Sequence, residues 1–264
     1  MPILILPAQY SEDSILLWHT AASEGWIVQR LQTWRMVDPI EGEKITLYGE
    51  PLFAAAIAEQ LSLALLEPPL DWLCQLPFHF VKRRIQFAKL ANLNTIKWPA
   101  FVKPADDKCF PAGVYNAISE IPTIEHLDNS TPILISEPVN WQCEFRAFIL
   151  EGGCETISIY ARNENLAQTS DGSWPASELE MNAAKTFLTS LLSEVPLPPS
   201  VVIDIGIIAD QGWAVIETNP SWSSGIYGCD AKAVLRTITR GCQPLTNLPF
   251  QDKKWIIKRS NSLI

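Results

Sequence analysis

Short apolar runs interrupted by proline, glycine and polar residues mark the first third of the chain and predict alternating strands and helices. Ile3–Leu6 and Ile45–Tyr48 have the length and composition of buried strands. Pro51 stands where proline is favoured at the start of a helix, and apolar residues recur at helical spacing across Leu52–Leu66. Pro68 cannot continue that helix, so a candidate domain boundary follows it.

The remaining two thirds of the chain are richer in predicted strands. Ala100–Lys103 and Ile133–Glu137 are apolar runs that end at polar residues and predict short strands. Phe145–Leu150 and Thr156–Tyr160 flank the Gly152–Gly153 pair, which is a strong signal for a β-hairpin.

Two helices are predicted in the last third of the chain. Ser177 and Glu180 have the spacing of a capping box and precede an amphipathic segment. Asp230 can cap a last helix that continues through Arg240. This mixture of parallel-type and hairpin strands with helices predicts a fold of the α/β (α+β) class.

Composition narrows the classes of partner. The chain has 20 Lys and Arg against 29 Asp and Glu, and its net charge of −9 argues against binding to duplex nucleic acid. No apolar run is long enough to cross a membrane, and the first cation is Arg30, so no signal peptide is predicted. The six cysteines include no CxxC pair, which predicts free thiols and a cytoplasmic location.

The sharpest chemical signal lies in a predicted hairpin between residues 201 and 219. If a two- or four-residue turn is centred on Asp210–Gln211, Asp204 lies directly opposite Glu217 on the neighbouring strand. Asn219 is two residues further on and therefore shares the same face of the sheet. The flanking residues are mostly valine and isoleucine, so the two carboxylates are expected to lie in apolar surroundings.

Two opposed carboxylates in an apolar hairpin are destabilising unless a cation lies between them. Asp204, Glu217 and Asn219 offer three hard oxygen ligands, which suit Mg²⁺ or Mn²⁺. The alternative is an exposed sheet face that carries incidental polar residues. Trp222 follows this segment closely and either lines the adjoining pocket or belongs to the core.

Three further clusters have both a chemical and a structural interpretation. Lys103 ends an apolar strand and Lys108 follows in the next loop, where they either bind phosphate or belong to a solvated turn. Glu144 and Arg146 share one face of a predicted strand, as a binding pair or as an ion pair on an exposed sheet. The connector from Glu137 to Val139 either presents backbone groups to an adenine edge or simply joins two domains.

In their order along the chain, these residues resemble ATP-grasp enzymes. The match is to the clade marked by one arginine and two lysines, here Arg146, Lys103 and Lys108, and covers roughly residues 45–240. The resemblance implies an N-terminal α/β domain at residues 1–76 and two lobes, 77–136 and 137–264, that grip ATP between them. The loop from Lys103 to Gly113 departs from the family because it contains one glycine where many relatives have a glycine-rich flap.

The resemblance also implies roles for individual residues. Lys103 and Lys108 would contact the nucleotide phosphates, Glu137 and Val139 the adenine, and Glu144 the ribose. Asp204, Glu217 and Asn219 would hold Mg²⁺, for which Mn²⁺ is an alternative. Arg146 would face the γ-phosphate and the acceptor carboxylate, with Lys108 as a second catalytic residue. Lys82–Arg84 is either a solvated helix face or, by the same resemblance, contributes a phosphate contact through Arg83 or Arg84.

The activity implied is an ATP- and Mg²⁺-dependent ligase that joins a small-molecule or peptide carboxylate to an amine through an acyl phosphate. Two alternatives are a non-catalytic nucleotide-binding switch or scaffold and an ATP-dependent kinase. No Ser-His-Asp or Cys-His arrangement points to covalent catalysis. The sequence identifies neither the carboxylate nor the amine.

Overall fold

Four β-sheets and five α-helices make up the part of the chain that the computed structural model describes, residues 1–35, 44–106, 109–122 and 128–256. The helices are α1 (Glu12–Ser23), α2 (Pro51–Gln60), α3 (Phe78–Val81), α4 (Glu178–Glu194) and α5 (Ala231–Gly241). The strands are β1 (Pro2–Pro7), β2 (Ile27–Leu31), β3 (Lys44–Leu47), β4 (Leu63–Leu65), β5 (Ile85–Lys89), β6 (Ala100–Pro104), β7 (Gly113–Tyr115), β8 (Pro132–Ser136), β9 (Trp141–Leu150), β10 (Gly153–Arg162), β11 (Asn165–Leu166), β12 (Ser200–Ile208), β13 (Gly212–Asn219) and β14 (Cys242–Pro244). None of these helices combines the length and the apolar character that crossing a membrane requires.

The N-terminal sheet is parallel, with β1 between β2 and β3. The two strands predicted in this region are confirmed, and α2 begins at Pro51 as expected. The helix is shorter than predicted, however, because it ends at Gln60 rather than Leu66. Ser62 adopts a left-handed conformation (φ 53°) that a helix cannot accommodate, and β4 then pairs with β14.

Two antiparallel sheets form the rest of the fold. One has the strand order β5-β8-β6-β7 and the other the order β11-β10-β9-β12-β13. Residues 137–140 connect them, because they join β8 of the first sheet to β9 of the second. The predicted hairpin around Gly152 is confirmed as β9 and β10, and Ser177 and Asp230 cap α4 and α5 as expected.

Alternating side chains of β9 belong to two different environments. Phe145, Ala147 and Ile149 are fully buried in a core that also contains apolar residues of α4. Phe148 is equally buried, but it packs on the other face of the sheet with residues of the N-terminal sheet. Arg146 belongs to that second face, which places a charged side chain between two apolar layers.

One hydrophobic core joins the N-terminal sheet to the C-terminal part of the chain. It contains Leu4 and Ile57 together with Val202, Trp222 and Ile238. Trp222 is fully buried, and its indole N–H donates to the carbonyl of Leu66 at 3.0 Å. Of the two interpretations of Trp222, the core position is therefore confirmed, and it does not line a pocket.

Replacing Trp222 tests how strongly this core depends on its hydrogen bond. Trp222→Phe keeps an aromatic ring but removes the N–H donor, so we expect the free energy of unfolding to fall by about 1–3 kcal/mol. Chemical denaturation measures the change, and Trp34→Phe is the control because Trp34 is 54% exposed. Equal stability of both variants would contradict this role for Trp222.

Candidate active site

A cleft of about 1250 Å³ lies where the three main sheets approach one another. Its walls come from the start of α2, the segment after β4, the end of β6 and the residues that follow β13. Four of the predicted site residues line it: Lys103, Arg146, Glu217 and Asn219. Asp204 is fully buried beneath them, on the strand between Arg146 and Glu217.

The predicted pairing of Asp204 with Glu217 is confirmed, but the turn that was expected to produce it is not. Ile208 pairs with Gly212, so the turn has three residues and its register differs by one from the expected register. A β-bulge between Asp204 and Ile205 restores the pairing, because Ile216 is an extra residue on β13. Asp204 therefore faces Glu217, and Val202 faces Asn219.

Arg146, Asp204 and Glu217 lie side by side on β9, β12 and β13, and we call them the charged row. Two N–H groups of Arg146 bind the two oxygens of Asp204, with Nε–Oδ1 at 2.9 Å and Nη2–Oδ2 at 2.6 Å. Nη2 also lies 4.0 Å from Oε1 of Glu217. The cation that the opposed carboxylates require is thus supplied by the protein itself.

The alternative ion pair between Arg146 and Glu144 is not formed. Glu144 instead accepts a hydrogen bond from the hydroxyl of Tyr160 at 2.7 Å. Burial raises the pKa of Glu144, although the Tyr160 bond acts in the opposite direction. Arg146 is therefore paired across the sheet with Asp204 rather than along its own strand.

The charges of the row respond differently to burial. Burial raises the pKa of Asp204 to about 6, because the loss of hydration outweighs the stabilisation by Arg146. Burial alone would raise the pKa of Glu217 as well, but Lys103, the Asn219 amide and Arg146 lower it to about 2. Glu217 is therefore ionised at neutral pH, and Asp204 becomes fully ionised only above about pH 6.

Lys103 connects the two antiparallel sheets through Glu217. Its ammonium group forms a close ion pair with Oε2 of Glu217, and the side-chain amide of Asn219 donates to Oε1 at 2.9 Å. Lys103 lies on β6 and Glu217 on β13, so the pair crosses the cleft. Both side chains are less than one third exposed, which limits screening by solvent.

Arg146 is held on several sides and still has donors to spare. Its Nη1 donates to the carbonyl of Gly225 at 3.1 Å, so three of its five N–H groups are used within the described part of the chain. The guanidinium carbon lies 4.9 Å from the ring of Tyr227 and 5.6 Å from that of Tyr160. The remaining N–H groups, one on each terminal nitrogen, are available to a ligand in the cleft.

Tyr227 combines two features that are rare at an ordinary surface position. It lines the cleft, and its backbone adopts a left-handed conformation with φ 51°, which is uncommon for a large residue other than glycine. Its ring stacks on Tyr160, with centroids 4.9 Å apart and planes inclined by 14°. The sequence gives no signal for this arrangement beyond the position of Tyr227 shortly after the metal-ligand segment.

The oxygen ligands predicted for a divalent cation suit Mg²⁺ in chemistry. An ionised carboxylate has about four acceptor sites, and Arg146 uses one on each oxygen of Asp204. Glu217 and Asn219 line the cleft next to it. Elsewhere in the described residues there is no group of three His, Cys, Asp or Glu side chains that could hold a metal ion.

The other predicted site residues lie apart from this group. Glu137 is on the connector between the sheets, where it forms an ion pair with Arg84 and accepts from the Arg84 backbone N–H at 2.8 Å. Neither Glu137, Val139 nor Glu144 is among the residues that line the cleft. Lys108 falls outside the described residues.

Arg83 has a role that neither interpretation of the Lys82–Arg84 segment anticipated. It is 6% exposed, so it does not belong to a solvated helix face. Its guanidinium donates to the backbone carbonyls of Val215 and Ile216 on β13, at 2.8 and 2.9 Å, which excludes those N–H groups from binding phosphate. A basic residue that binds only backbone carbonyls leaves no pattern in the sequence.

Residues 80–237 match a family model described as an ATP-grasp domain, the second family of its clade, and the match covers more than half of the chain. No curated protein matches the chain. Among solved structures, the fold is similar to N5-carboxyaminoimidazole synthetase from Staphylococcus aureus, with 14% identity, a TM-score of 0.50, and 92% of this chain and 80% of that chain covered. It is also similar to L-amino acid ligase from Bacillus licheniformis, with 14% identity, a TM-score of 0.50, and 83% and 67% covered.

These likenesses agree with the arrangement of the two antiparallel sheets around the cleft, and they confirm the ATP-grasp fold expected from the sequence. The family match rests on the segment that contains the charged row and Lys103. The chain therefore belongs to the ATP-grasp family.

Proposed function

We propose that this protein is an ATP- and Mg²⁺-dependent ligase that joins a carboxylate to an amine through an acyl phosphate. The observation that carries the proposal is the charged row at the floor of the cleft, with Lys103 opposite it. Two positive groups, Lys103 and Arg146, are fixed there by carboxylates on neighbouring strands. Such preorganised charge is what transfer of a phosphoryl group requires.

Lys103 is proposed to bind the ATP phosphates, with Lys108 as a second phosphate contact. Lys103 is held in the cleft by Glu217, so its charge is in position before a nucleotide arrives. The adenine is proposed to lie against the connector that carries Glu137 and Val139, and the ribose on the side of Glu144. The place of this connector between the two antiparallel sheets supports that orientation.

Asp204, Glu217 and Asn219 are proposed to hold Mg²⁺. The cation, when bound, neutralises negative charge on the phosphate groups. The protein's contribution is to place three oxygen donors on adjacent positions of β12 and β13. Glu217 is ionised throughout the physiological range, because its pKa is lowered to about 2.

Arg146 is proposed to hold the acceptor carboxylate and the transferred group. An oxygen of the substrate carboxylate attacks the γ-phosphorus of ATP, the bond to the bridging oxygen breaks, and ADP leaves. The amine nitrogen then attacks the acyl carbon and loses a proton, and phosphate leaves with the electrons of the C–O bond. The two open N–H groups of Arg146 can follow the charge through both steps, since Asp204 and Gly225 keep the guanidinium in place.

Product analysis distinguishes this proposal from its alternatives. The purified protein is incubated with ATP, Mg²⁺ and a panel of amino acids and small peptides, and products are identified by mass spectrometry. A ligase yields ADP and a product whose mass is that of two substrates less water. A stable phosphorylated product would indicate a kinase, and ATP binding without ADP formation would indicate a scaffold; either result contradicts the proposal.

Asp204→Asn tests the anchor of the charged row. We expect the free energy of unfolding to fall by about 3–5 kcal/mol, because a buried guanidinium loses its counter-charge, and Mg²⁺-supported turnover to be lost. Denaturation curves and ADP release measure the two effects. Asp210→Asn is the control, since Asp210 is an exposed turn residue of the same hairpin with φ 61°, a conformation that asparagine tolerates.

Lys103→Met tests the phosphate contact. Methionine keeps much of the side-chain volume and removes the charge, so we expect ATP to bind at least tenfold more weakly, which corresponds to about 1.4 kcal/mol or more. Calorimetric titration with ATP provides the affinity, and Lys89→Met, an exposed lysine of the same sheet, should bind ATP normally. An unchanged dissociation constant for Lys103→Met would remove Lys103 from the site.

Arg146→Lys tests the role of the guanidinium in transfer. Lysine keeps the charge but cannot form a bidentate fork, so we expect near-normal ATP affinity and a loss of turnover of at least tenfold. Arg162→Lys, which changes a more exposed arginine paired with Glu180, is the control and should retain turnover. A variant with reduced stability but unchanged acceptor-dependent ADP release would assign Arg146 to the fold alone.

A further inference from the structure

The β-bulge at Ile216 decides on which face of β13 the predicted metal ligands lie. From Ile208 to Ile205, residues of β12 pair with β13 in the register set by the three-residue turn. Beyond the bulge the register shifts by one residue, so that Asp204 pairs with Glu217. Because side chains alternate along a strand, the same register without the bulge would put Glu217 on the opposite face from Asp204.

Arg83 binds this bulge from the open edge of the sheet. β13 is an edge strand, and Nη1 and Nη2 of Arg83 donate to the carbonyls of Val215 and Ile216 at 2.8 and 2.9 Å. Consecutive carbonyls of a regular strand point to opposite edges, so one planar guanidinium can bind both only where the backbone is bulged. Nη1 also donates to the carbonyl of Val81 at 3.0 Å, which ties the bulge to the end of α3.

A second cluster supports the same backbone from inside the sheet. The guanidinium carbon of Arg83 lies 5.1 Å from the centre of the Trp141 ring. Trp141 and Ile216 meet over Gly206, where an added Cβ would lie 2.9 Å from the Trp141 ring and 3.0 Å from Ile216. It would also lie 2.5 Å from the carbonyl oxygen of Cys143. Only glycine at position 206 leaves room for the side chain of the bulged residue.

We propose that Arg83 is a positioning residue that acts through Glu217. By binding two carbonyls of the bulge, it fixes the register of the last residues of β13 and brings Glu217 and Asn219 to the face of Asp204. The effect on register depends only on the geometry described here, whereas any effect on turnover rests on the proposed ligase function. Arg83 touches neither the cleft nor the charged row by a hydrogen bond in the described part of the chain.

The test measures register directly by trapping cross-strand disulfides in the full chain. Val202→Cys with Asn219→Cys places two thiols at paired positions beyond the bulge, which share a face only while the bulge persists. Ile207→Cys with Trp213→Cys places them at paired positions on the turn side, where the bulge has no influence. Oxidation followed by peptide mapping gives the fraction of each pair that is linked, separately from the six native cysteines.

Arg83→Lys is introduced into both double-cysteine chains, because lysine keeps the charge and cannot bind two carbonyls at once. We expect the linked fraction of the 202–219 pair to fall at least fivefold, while the 207–213 pair remains unchanged. Equal trapping of the 202–219 pair with and without the Arg83→Lys substitution would overturn the proposal, as would failure of that pair to link with Arg83 present. Arg83→Met gives a second variant, whose side chain still packs on Trp141 and whose expected result is the same.

The catalytic consequence is measured separately and cannot be confused with the effect on register. If the wild-type chain forms an amide, Arg83→Lys should lower turnover at least tenfold, and Arg162→Lys should leave it unchanged. A wild-type chain that forms no amide but shows the selective loss of the 202–219 disulfide contradicts the ligase proposal alone. Unchanged trapping with normal turnover in Arg83→Lys contradicts the positioning role alone.

Discussion

The buried ion pair between Arg146 and Asp204 is the interaction on which the arrangement of the cleft depends. Asp204 is fully buried and Arg146 nearly so, and each loses its hydration on folding. Such a pair contributes little net stability, but a single unpaired member would be costly. The two strands that carry it are therefore constrained to one register, and Glu217 is brought next to the guanidinium by the same constraint. The electrostatics of the cleft follow from these strand positions.

Much of this could be predicted from the sequence because the relevant signals are local. The hairpin around Gly152 and the caps at Ser177 and Asp230 depend on a few adjacent residues, and all three are confirmed. The pairing of Asp204 with Glu217 was also predicted, from alternation and a turn position. The sequence also led to the ATP-grasp fold, because several weak motifs occur in one order along the chain.

What could not be predicted depends on contacts between distant residues. The three-residue turn and the bulge at Ile216 shift the register in opposite directions, so the correct pairing of Asp204 hid two errors. The end of α2 at Gln60 is set by pairing of β4 with a strand almost 180 residues later in the chain. Arg83 binds backbone carbonyls of another sheet, a contact that no residue pattern encodes.

The core that Trp222 shares with the N-terminal sheet bears on how such a chain can be divided or recombined. A cut near residue 76 would separate sequence segments, yet it would uncover Phe148, Val202 and the buried side of α5, and would break the pairing of β4 with β14. The nucleotide-binding lobes of this protein are thus not a removable cassette. An exchange of N-terminal segments between relatives would have to carry the complementary face of α5 with it, so the two ends of the chain are bound to evolve as one unit.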